Sequence, residues 1–478
     1  MMSLVALRRL AAAALLLLTF AIPTVRAQSP DTLRLTVEEA VARMLRTSDE
    51  ARIASAQVEL ADASVLSSRA AGLPQLRLNS TYSQVLKNAR ADIVGSVFGQ
   101  SYTYNSNIQF TQSLFQGGRI VAASQVAARS ERAARLTRDE TRADLAVTAQ
   151  RAYLTVSLLA RLAEIQRRNL VIADERLTQI EQLERSGRSS RYEMLRARVE
   201  RANLEPLALQ AESNLVLAEL ELKRLLQIPL AQPVVLTSAL DGVAVQALAA
   251  AATDDRSTDG VRPNVRAAEL TASAREAGIK VARADLLPTV NTSFTFGYLA
   301  LPAFNGFPTR FGETSSALCP VGSPPTRVCQ NNGWFPDRNF GVQLSWPLFD
   351  GLRAKGAIDL ARAQAKIADL QVRQAREQST VDIERARAEL LRARATFAAR
   401  SGNVREAEEA FELAQLRFTR GIGTQLEVSD AQLALLTARS TEARATFDLY
   451  LAVADLARVR AKPIPLPSGG TVTTGTTR

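Results

Sequence analysis

The chain has 478 residues, 46% of them hydrophobic and 22% charged, which excludes both a wholly disordered chain and a polytopic helical membrane protein. It contains no histidine, so histidine-based triads and histidine metal ligands are excluded, and its two cysteines are too few for a structural zinc site. The formal net charge of +11 raises nucleic acid as a partner. However, the positive residues are spread through stretches where Glu and Arg alternate, such as 385–400, which are typical of solvated helix faces. We therefore expect no enzyme, no cofactor and no nucleic-acid partner.

Residues 1–27 predict a secretory signal peptide. Arg8 and Arg9 precede an apolar run from Leu10 to Pro23, and Ala27 supplies a small residue before the cleavage point. The apolar run is too short to cross a hydrocarbon core of about 30 Å. We therefore expect the mature chain to be exported.

An internal repeat organises the rest of the chain. The segment 114–119 reads LFQGGR and the segment 348–353 reads LFDGLR, an offset of 234 residues that also relates Gly187 to Gly421. Upstream, the Leu-Pro pairs at 73–74 and 287–288 are offset by 214, so the second copy carries about 20 extra residues within 301–337. The predicted units are a first repeat at 28–228, a connector at 229–261, a second repeat at 262–462 and a disordered tail at 463–478.

In each repeat, two stretches with a period of two precede two long helical stretches. In the first kind of stretch, apolar and aromatic residues alternate with uncharged polar ones, which predicts strands. The second kind is rich in Ala, Arg, Leu and Glu and almost free of proline, which predicts long paired helices. The predicted strands are 75–85, 101–115, 288–300 and 338–349, and the predicted helices are 118–186, 190–226, 352–419 and 424–461.

The alternating strands leave two interpretations open. A soluble, half-buried sheet alternates in the same way as the wall of an outer-membrane barrel. The export signal and the aromatic residues on the apolar faces favour lipid. Four strands cannot close a membrane barrel, for which eight is the usual minimum, so several copies must contribute. The alternative is an exported coiled-coil structural or adhesion protein, which explains the helices but not the duplicated strands.

At the strand-to-helix junctions, the segment LSWPLFDG at 344–351 and its looser copy QSLFQGG at 112–118 carry a family resemblance. Together with the doubled strand and helix order, they resemble the TolC-like outer-membrane efflux factors over about 33–462. The resemblance implies a mainly α fold with a β-barrel part: a homotrimer whose 12-stranded outer-membrane barrel continues as a long α-helical tunnel across the periplasm. It further implies an exit duct for a tripartite efflux pump or a type I secretion system. The partners would be a periplasmic adaptor, an inner-membrane transporter and outer-membrane lipid, and no reaction would be catalysed.

The resemblance also implies functional residues at the turns between the paired helices. The expected adaptor contacts are Gly187, Arg188, Ser189 and Ser190 in the first turn, and Gly421, Ile422, Gly423 and Thr424 in the second. These residues also suit a purely structural role, because Ser190 and Thr424 are good N-caps and glycine favours a turn.

Two further pairs of residues are singled out. Glu427 and Asp430 match positions where the family narrows its periplasmic entrance with rings of carboxylates, and the alternative is an ordinary exposed helix face. Cys319 and Cys329 lie in the inserted loop, where an oxidising compartment favours a disulfide.

Overall fold

The computed structural model describes residues 32–86, 102–238, 240–255, 259–300, 310–311, 333–466 and 471–472. The predicted signal peptide and the predicted Cys319–Cys329 disulfide lie outside the described residues.

Each repeat contains short helices, a pair of long strands and a pair of long helices. The first repeat consists of β1 (Leu33–Leu35), α1 (Val37–Thr47), α2 (Asp49–Ala70), β2 (Gln75–Gln84), β3 (Tyr102–Gln116), α3 (Arg119–Arg185) and α4 (Arg191–Leu225). The connector holds β4 (Val234–Leu236) and α5 (Gly242–Asp254). The second repeat consists of α6 (Pro263–Arg283), β5 (Thr289–Ala300), β6 (Arg310–Phe311), β7 (Gly333–Ser345), α7 (Arg353–Thr419) and α8 (Gln425–Val459), followed by β8 (Ile464–Pro465) and β9 (Thr471–Val472).

The long helices of the two repeats have equal lengths. α3 and α7 each have 67 residues, and α4 and α8 each have 35. At 1.5 Å per residue, α3 and α7 are each about 100 Å long. Both start after a residue in the left-handed conformation, Gly118 (φ 79°) in the first repeat and Leu352 (φ 71°) in the second. The repeat seen in the sequence is therefore a repeat of backbone conformation as well.

The long strands form one sheet in the order β2-β3-β5-β7, and each of its neighbouring strands is antiparallel. The short β6 pairs only with the Gly333–Trp334 end of β7. Within the described residues, the outer edge of β2 and the remaining outer edge of β7 therefore have no partner strand. Such edges are open to pairing with another chain.

The helices form a similarly open layer. Next to the sheet, α2 packs against α3, and α6 packs between α3 and α7. Beyond that level, α4 takes the place of α2 beside α3, and α8 takes the place of α6 between α3 and α7. Throughout the layer, α7 therefore forms one edge, and α2 and α4 form the other.

The largest hydrophobic core lies at the middle of the long helices, where the two repeats meet. Tyr153 of α3 is fully buried there, and its hydroxyl donates to the Leu35 carbonyl of β1 (2.9 Å) and accepts from the Ser238 N–H (2.9 Å). β1 pairs in parallel with β4, which ties the start of the first repeat to the connector. On the other side of the core, the Tyr450 hydroxyl of α8 contacts the Pro465 carbonyl of β8 (2.8 Å). The connector and both ends of the described chain are thus anchored on the long helices.

Two sequence expectations need correction. The last long strand, expected at 338–349, spans Gly333–Ser345, because Pro347 cannot donate a ladder hydrogen bond and β7 pairs with β5 as far back as Phe335. The tail expected to be disordered from 463 begins with the strand β8, in which Ile464 is buried, and Leu466 beyond it is also buried in the core. Alternating apolar residues hold this segment on α8. The remainder of the predicted tail, apart from β9, lies outside the described residues.

Candidate functional site: the two-faced sheet and the hairpin turns

The sheet has one apolar and one polar face. On the apolar face, Leu78, Ile108 and Phe110 of the first repeat and Phe294 and Phe340 of the second are exposed to the surroundings of the chain. A soluble sheet would bury such a surface, so this face requires lipid or protein against it. No helix in the part of the chain that the structure describes is long and apolar enough to cross a membrane.

The opposite face of the sheet is lined mainly by uncharged polar side chains, together with Arg77 of β2 and Asp337 of β7. A cavity of about 360 Å³ lies against it near the helix junction, and carboxamides from four strands form much of its wall. In the middle of this face, the Asn79 Nδ2 donates to the Asn107 Oδ1 (3.3 Å) across the β2–β3 pair. The cavity is lined by Gln75, Gln109, Gln112, Asn291 and Gln343, among others. Such a face suits water and polar solutes of either charge.

The two turns between the paired helices have the same pattern of backbone hydrogen bonds. Gly187 (φ 74°) and Gly421 (φ 75°) each adopt the left-handed conformation that ends a long helix. The Arg188 N–H donates to the Leu183 carbonyl (2.8 Å), as the Ile422 N–H donates to the Arg417 carbonyl (3.0 Å). These bonds satisfy carbonyls that the helix ends leave unpaired. The predicted contact residues therefore form two matching surface turns.

The returning helices are capped differently in the two turns. Ser190 and Glu193 form a capping box: the Glu193 N–H donates to Ser190 Oγ (3.2 Å) and the Ser190 N–H donates to Glu193 Oε2 (3.1 Å). The Ser189 hydroxyl also donates to that carboxylate (2.7 Å) and, with the Ser190 N–H, lowers the pKa of Glu193. In the second turn, Thr424 Oγ1 accepts from the Glu427 N–H (3.3 Å). The N-cap role expected for both residues is thus present in the structure.

The two carboxylates expected at the entrance are both exposed on α8, one turn apart. Glu427 lies 3.4 Å from the Nε of Arg417, the last-turn arginine of α7. That ion pair spans the hairpin and was not foreseen from the sequence, since the spacing of the two residues alone does not show that the turn brings them together. Asp430 lies farther from the turn, on the same face. Both carboxylates are positioned beside the turn, and among the described residues Glu427 has an ion-pair partner and Asp430 has none.

A buried polar network about three turns from the hairpin was also missed. Arg176 of α3 has only 8% of its side chain exposed, and its guanidinium donates to Ser429 (3.1 Å) and Gln432 of α8. Burial lowers its pKa, and the Glu200 carboxylate of α4, 3.5 Å away, opposes that shift. Ser429 in turn donates to Glu200 (2.9 Å), and Gln432 donates to Asn169. The sequence signal was two polar residues, Asn169 and Arg176, seven residues apart on a face of α3 that also carries Ile172, Ala173 and Ile180.

Comparison with known proteins agrees with this architecture. A family model described as "Outer membrane efflux protein" matches residues 42–226 and 259–460. The "Pyoverdine export outer membrane protein OpmQ" of Pseudomonas putida is 25% identical over 398 residues, which cover 82% of this chain and 78% of that protein.

Solved structures share the fold. The outer membrane protein VceC from Vibrio cholerae aligns with a TM-score of 0.67 at 20% identity, covering 89% of this chain and 96% of that one. The Campylobacter jejuni CmeC outer membrane channel aligns with a TM-score of 0.70 at 14% identity, covering 89% of this chain and 85% of that one. These likenesses confirm the predicted fold class, a helical tunnel joined to a barrel wall.

Proposed function

This chain belongs to the outer membrane efflux protein family and is an outer-membrane exit duct of an efflux pump, and we propose that three copies of it form one conduit fed by a periplasmic adaptor and an inner-membrane transporter. The observation that carries the proposal is the pair of open edges on a single chain. β2 and β7 end the sheet on either side, and α7 faces outward opposite α2 and α4. Pairing β7 of one copy with β2 of the next would therefore cover the open edges of the strand layer and of the helix layer at the same time.

The number of copies follows from closure. Four long strands per chain are too few for a membrane barrel, two copies would reach the usual minimum of eight, and three give twelve. We favour three because a twelve-helix layer below the barrel leaves room for an open bore, which an exit duct requires. In that assembly the apolar face of the sheet meets lipid and the carboxamide face lines the lumen. We assign no catalytic reaction to this assembly.

Electron microscopy of the full chain, extracted in detergent from an outer-membrane fraction, tests this assembly. We expect a threefold particle with a barrel at one end and a helical stalk of about 100 Å. A monodisperse particle of two copies, or a rod that needs no detergent, would contradict the proposal. The second of these results would favour the exported coiled-coil alternative.

The adaptor is proposed to bind at the hairpin turns. Ile422, at the tip of the second turn, is 67% exposed, and Tyr192 and Leu426 beside the two turns are also exposed. Exposed apolar residues at the end of a long charged stalk are typical of a protein contact. The proposed contact residues are the eight turn residues, Gly187 to Ser190 and Gly421 to Thr424.

An Ile422→Asp variant tests the adaptor contact. We expect it to reduce co-purification of a co-expressed adaptor at least tenfold, because a carboxylate replaces an apolar side chain that the adaptor would bury. The matched control is Leu433→Asp, which places the same charge on an equally exposed apolar residue of α8 away from the turn. Equal loss in both variants, or no loss in either, would contradict the assignment.

The carboxylates of α8 are proposed to set ion selectivity at the entrance. Three copies would bring six acidic groups, Glu427 and Asp430 of each chain, close to one opening, and acidic rings attract cations. The Arg417 ion pair offsets part of the Glu427 charge, so Asp430 carries more of the effect. In planar bilayers, Asp430→Asn should lower the cation preference more than Glu427→Gln, whereas Glu409→Gln, on an exposed part of α7, should leave it unchanged. Unaltered selectivity in the Glu427→Gln and Asp430→Asn double variant would contradict the ring.

The cargo is proposed to be small molecules rather than proteins. What supports this is the pyoverdine-export relative, which matches most of both chains. Cells lacking the chain should accumulate fluorescent small molecules, and re-expression of the chain should restore the export of these molecules. Restored secretion of a protein substrate without any change in dye efflux would favour the type I secretion alternative.

A further inference from the structure

We propose that α4 of a second copy of this chain packs against α7, with Glu221 and Arg224 of that copy facing Arg385. The inference rests on the proposed assembly and goes beyond it, because it assigns the residues that join the copies. It follows from the internal repeat rather than from the closure argument.

The contact between the two repeats within one chain provides the template. α8 of the second repeat packs against α3 of the first, where Arg151 lies 3.3 Å from Asp455 and Arg458 lies 2.8 Å from Asp144. Asp455 also lies 3.6 Å from Arg458, one turn along the same helix. An arginine of the long helix thus meets an acid and an arginine of the returning helix.

The offset of 234 residues moves this set of charges onto α7 and α4. Arg151 corresponds to Arg385, Asp455 to Glu221 and Arg458 to Arg224, so all three charges reappear with the same sign. Glu221 pairs with Arg224 within its helix (2.7 Å), as Asp455 does with Arg458. Only the cross-helix contact is missing, because α4 and α7 lie on opposite edges of the described chain and do not form a packed pair there. A neighbouring copy would restore it.

The apolar residues of α4 lack cover in the same place. Tyr450 and Ala454 of α8 are fully buried against the first repeat, yet their counterparts Val216 and Leu220 of α4 are 54% and 38% exposed. An apolar side chain is left uncovered on α4 where the repeat covers one on α8. In the proposed assembly, α7 of a second copy covers Val216 and Leu220. The charge pattern described above identifies α7 as the helix that does so.

The orientation of Arg385 also fits. Arg151, Asp455 and Arg385 line one cleft of about 590 Å³, so they lie on the same side of the helical layer. Arg385 is 72% exposed and its nearest acid, Asp382 at 3.7 Å, is already held by Arg262 at 2.9 Å. Arg385 is therefore exposed on the same side of the layer as the template pair, and the carboxylate beside it is shared with Arg262.

Cysteine cross-linking of the full-length protein in its detergent-solubilised assembly tests the pairing directly. In a Cys319→Ser and Cys329→Ser background, the test variant is Arg385→Cys with Glu221→Cys, treated with a short bis-maleimide. The in-chain pair Arg151→Cys with Asp455→Cys calibrates the reach of the reagent. The control is Arg394→Cys with Glu221→Cys, since Arg394 lies nine residues from Arg385 and thus on the opposite face of α7.

We expect covalent dimers and trimers from the test variant on a denaturing gel, an internally linked monomer from the calibrating variant and no linked species from the control. If the assembly is threefold and the calibrating variant reacts while the test variant stays monomeric, the pairing is wrong and the proposed conduit stands. If no threefold assembly exists before cross-linking, the proposed function itself fails.

A charge exchange gives a second readout without cysteine. Arg385→Glu or Glu221→Arg alone should lower the temperature at which the detergent-stable assembly dissociates, and the two together should recover at least half of that loss. Arg394→Glu should leave the dissociation temperature within error of the unaltered chain. Additive losses in the double variant would overturn the pairing.

Discussion

Tyr450, a single residue in the core at the middle of the molecule, holds the segment that follows α8. The Tyr450 hydroxyl lies between the Pro465 carbonyl (2.8 Å) and the Gln150 side chain (3.0 Å), in a site closed to solvent. Burial, and to a lesser extent the charge of Glu38, raises the pKa of Tyr450. The folded chain therefore keeps this hydroxyl protonated at a pH where an unfolded chain loses the proton.

This predicts a pH dependence of stability above about pH 10. The folded form binds one proton more than the unfolded form there, so the free energy of unfolding falls by about 1.4 kcal/mol per pH unit from this group. Tyr450→Phe should cost about 1–3 kcal/mol at neutral pH, because the Pro465 carbonyl loses the hydroxyl that donates to it, and should remove that slope. Denaturant unfolding in detergent from pH 8 to 11 measures both effects. Parallel curves for the two proteins above pH 10 would contradict the assignment.

At the scale of elements, the two hairpins are matched in length but not in capping. The first has a capping box in which the Glu193 carboxylate accepts two hydrogen bonds, and the second has a threonine N-cap. Ser190→Ala should cost about 1 kcal/mol of local stability, which corresponds to amide exchange about fivefold faster over 187–196. Hydrogen–deuterium exchange with mass spectrometry measures it, and Thr424→Ala is the matched variant for 421–430. The pKa of Glu193 is lowered in the folded chain. The ionised carboxylate therefore stabilises the fold fully at pH values above the ordinary pKa of glutamate, and this stabilisation is lost as the pH falls below that pKa. Faster exchange in the second hairpin than in the first after Ser190→Ala would contradict this account.

The hairpins also show how far the sequence could be interpreted. Gly187 and Gly421 interrupt long proline-free stretches, so the turns could be located from composition alone. The Arg417–Glu427 pair and the buried Arg176 network could not, because they depend on which helix faces meet across a turn or a layer. The strand at Ile464 was missed for a similar reason: its order comes from the Tyr450 hydroxyl and the core, and proline-rich composition suggested the opposite.

On the scale of the whole molecule, the proposed assembly places lipid against the apolar face of the sheet and water against its polar face. Phe340 and Asn339 are neighbours on β7 whose side chains point to opposite faces. Phe340→Arg should reduce assembly in the outer membrane, since an arginine facing lipid costs about 2–4 kcal/mol near the bilayer centre. Asn339→Arg should assemble normally and shift conductance toward anions. Quantifying the heat-stable assembly in membrane fractions and recording single channels separates the two, and equal assembly of both variants would contradict the facing.

Equal helix lengths in the two repeats restrict how the gene for this chain can tolerate insertions and deletions. Removing one residue from α3 but not from α7 would shift the first turn by about 1.5 Å along the axis and rotate every later side chain by about 100°. A surface that contacts both turns at once would then meet them at different heights. The segment between β5 and β7 carries about 20 residues more than its counterpart without altering the register of either strand with its neighbours. We therefore expect the segment between β5 and β7 to tolerate changes in length. In the long helices, we expect a change in length to be tolerated only when it is made in both repeats together.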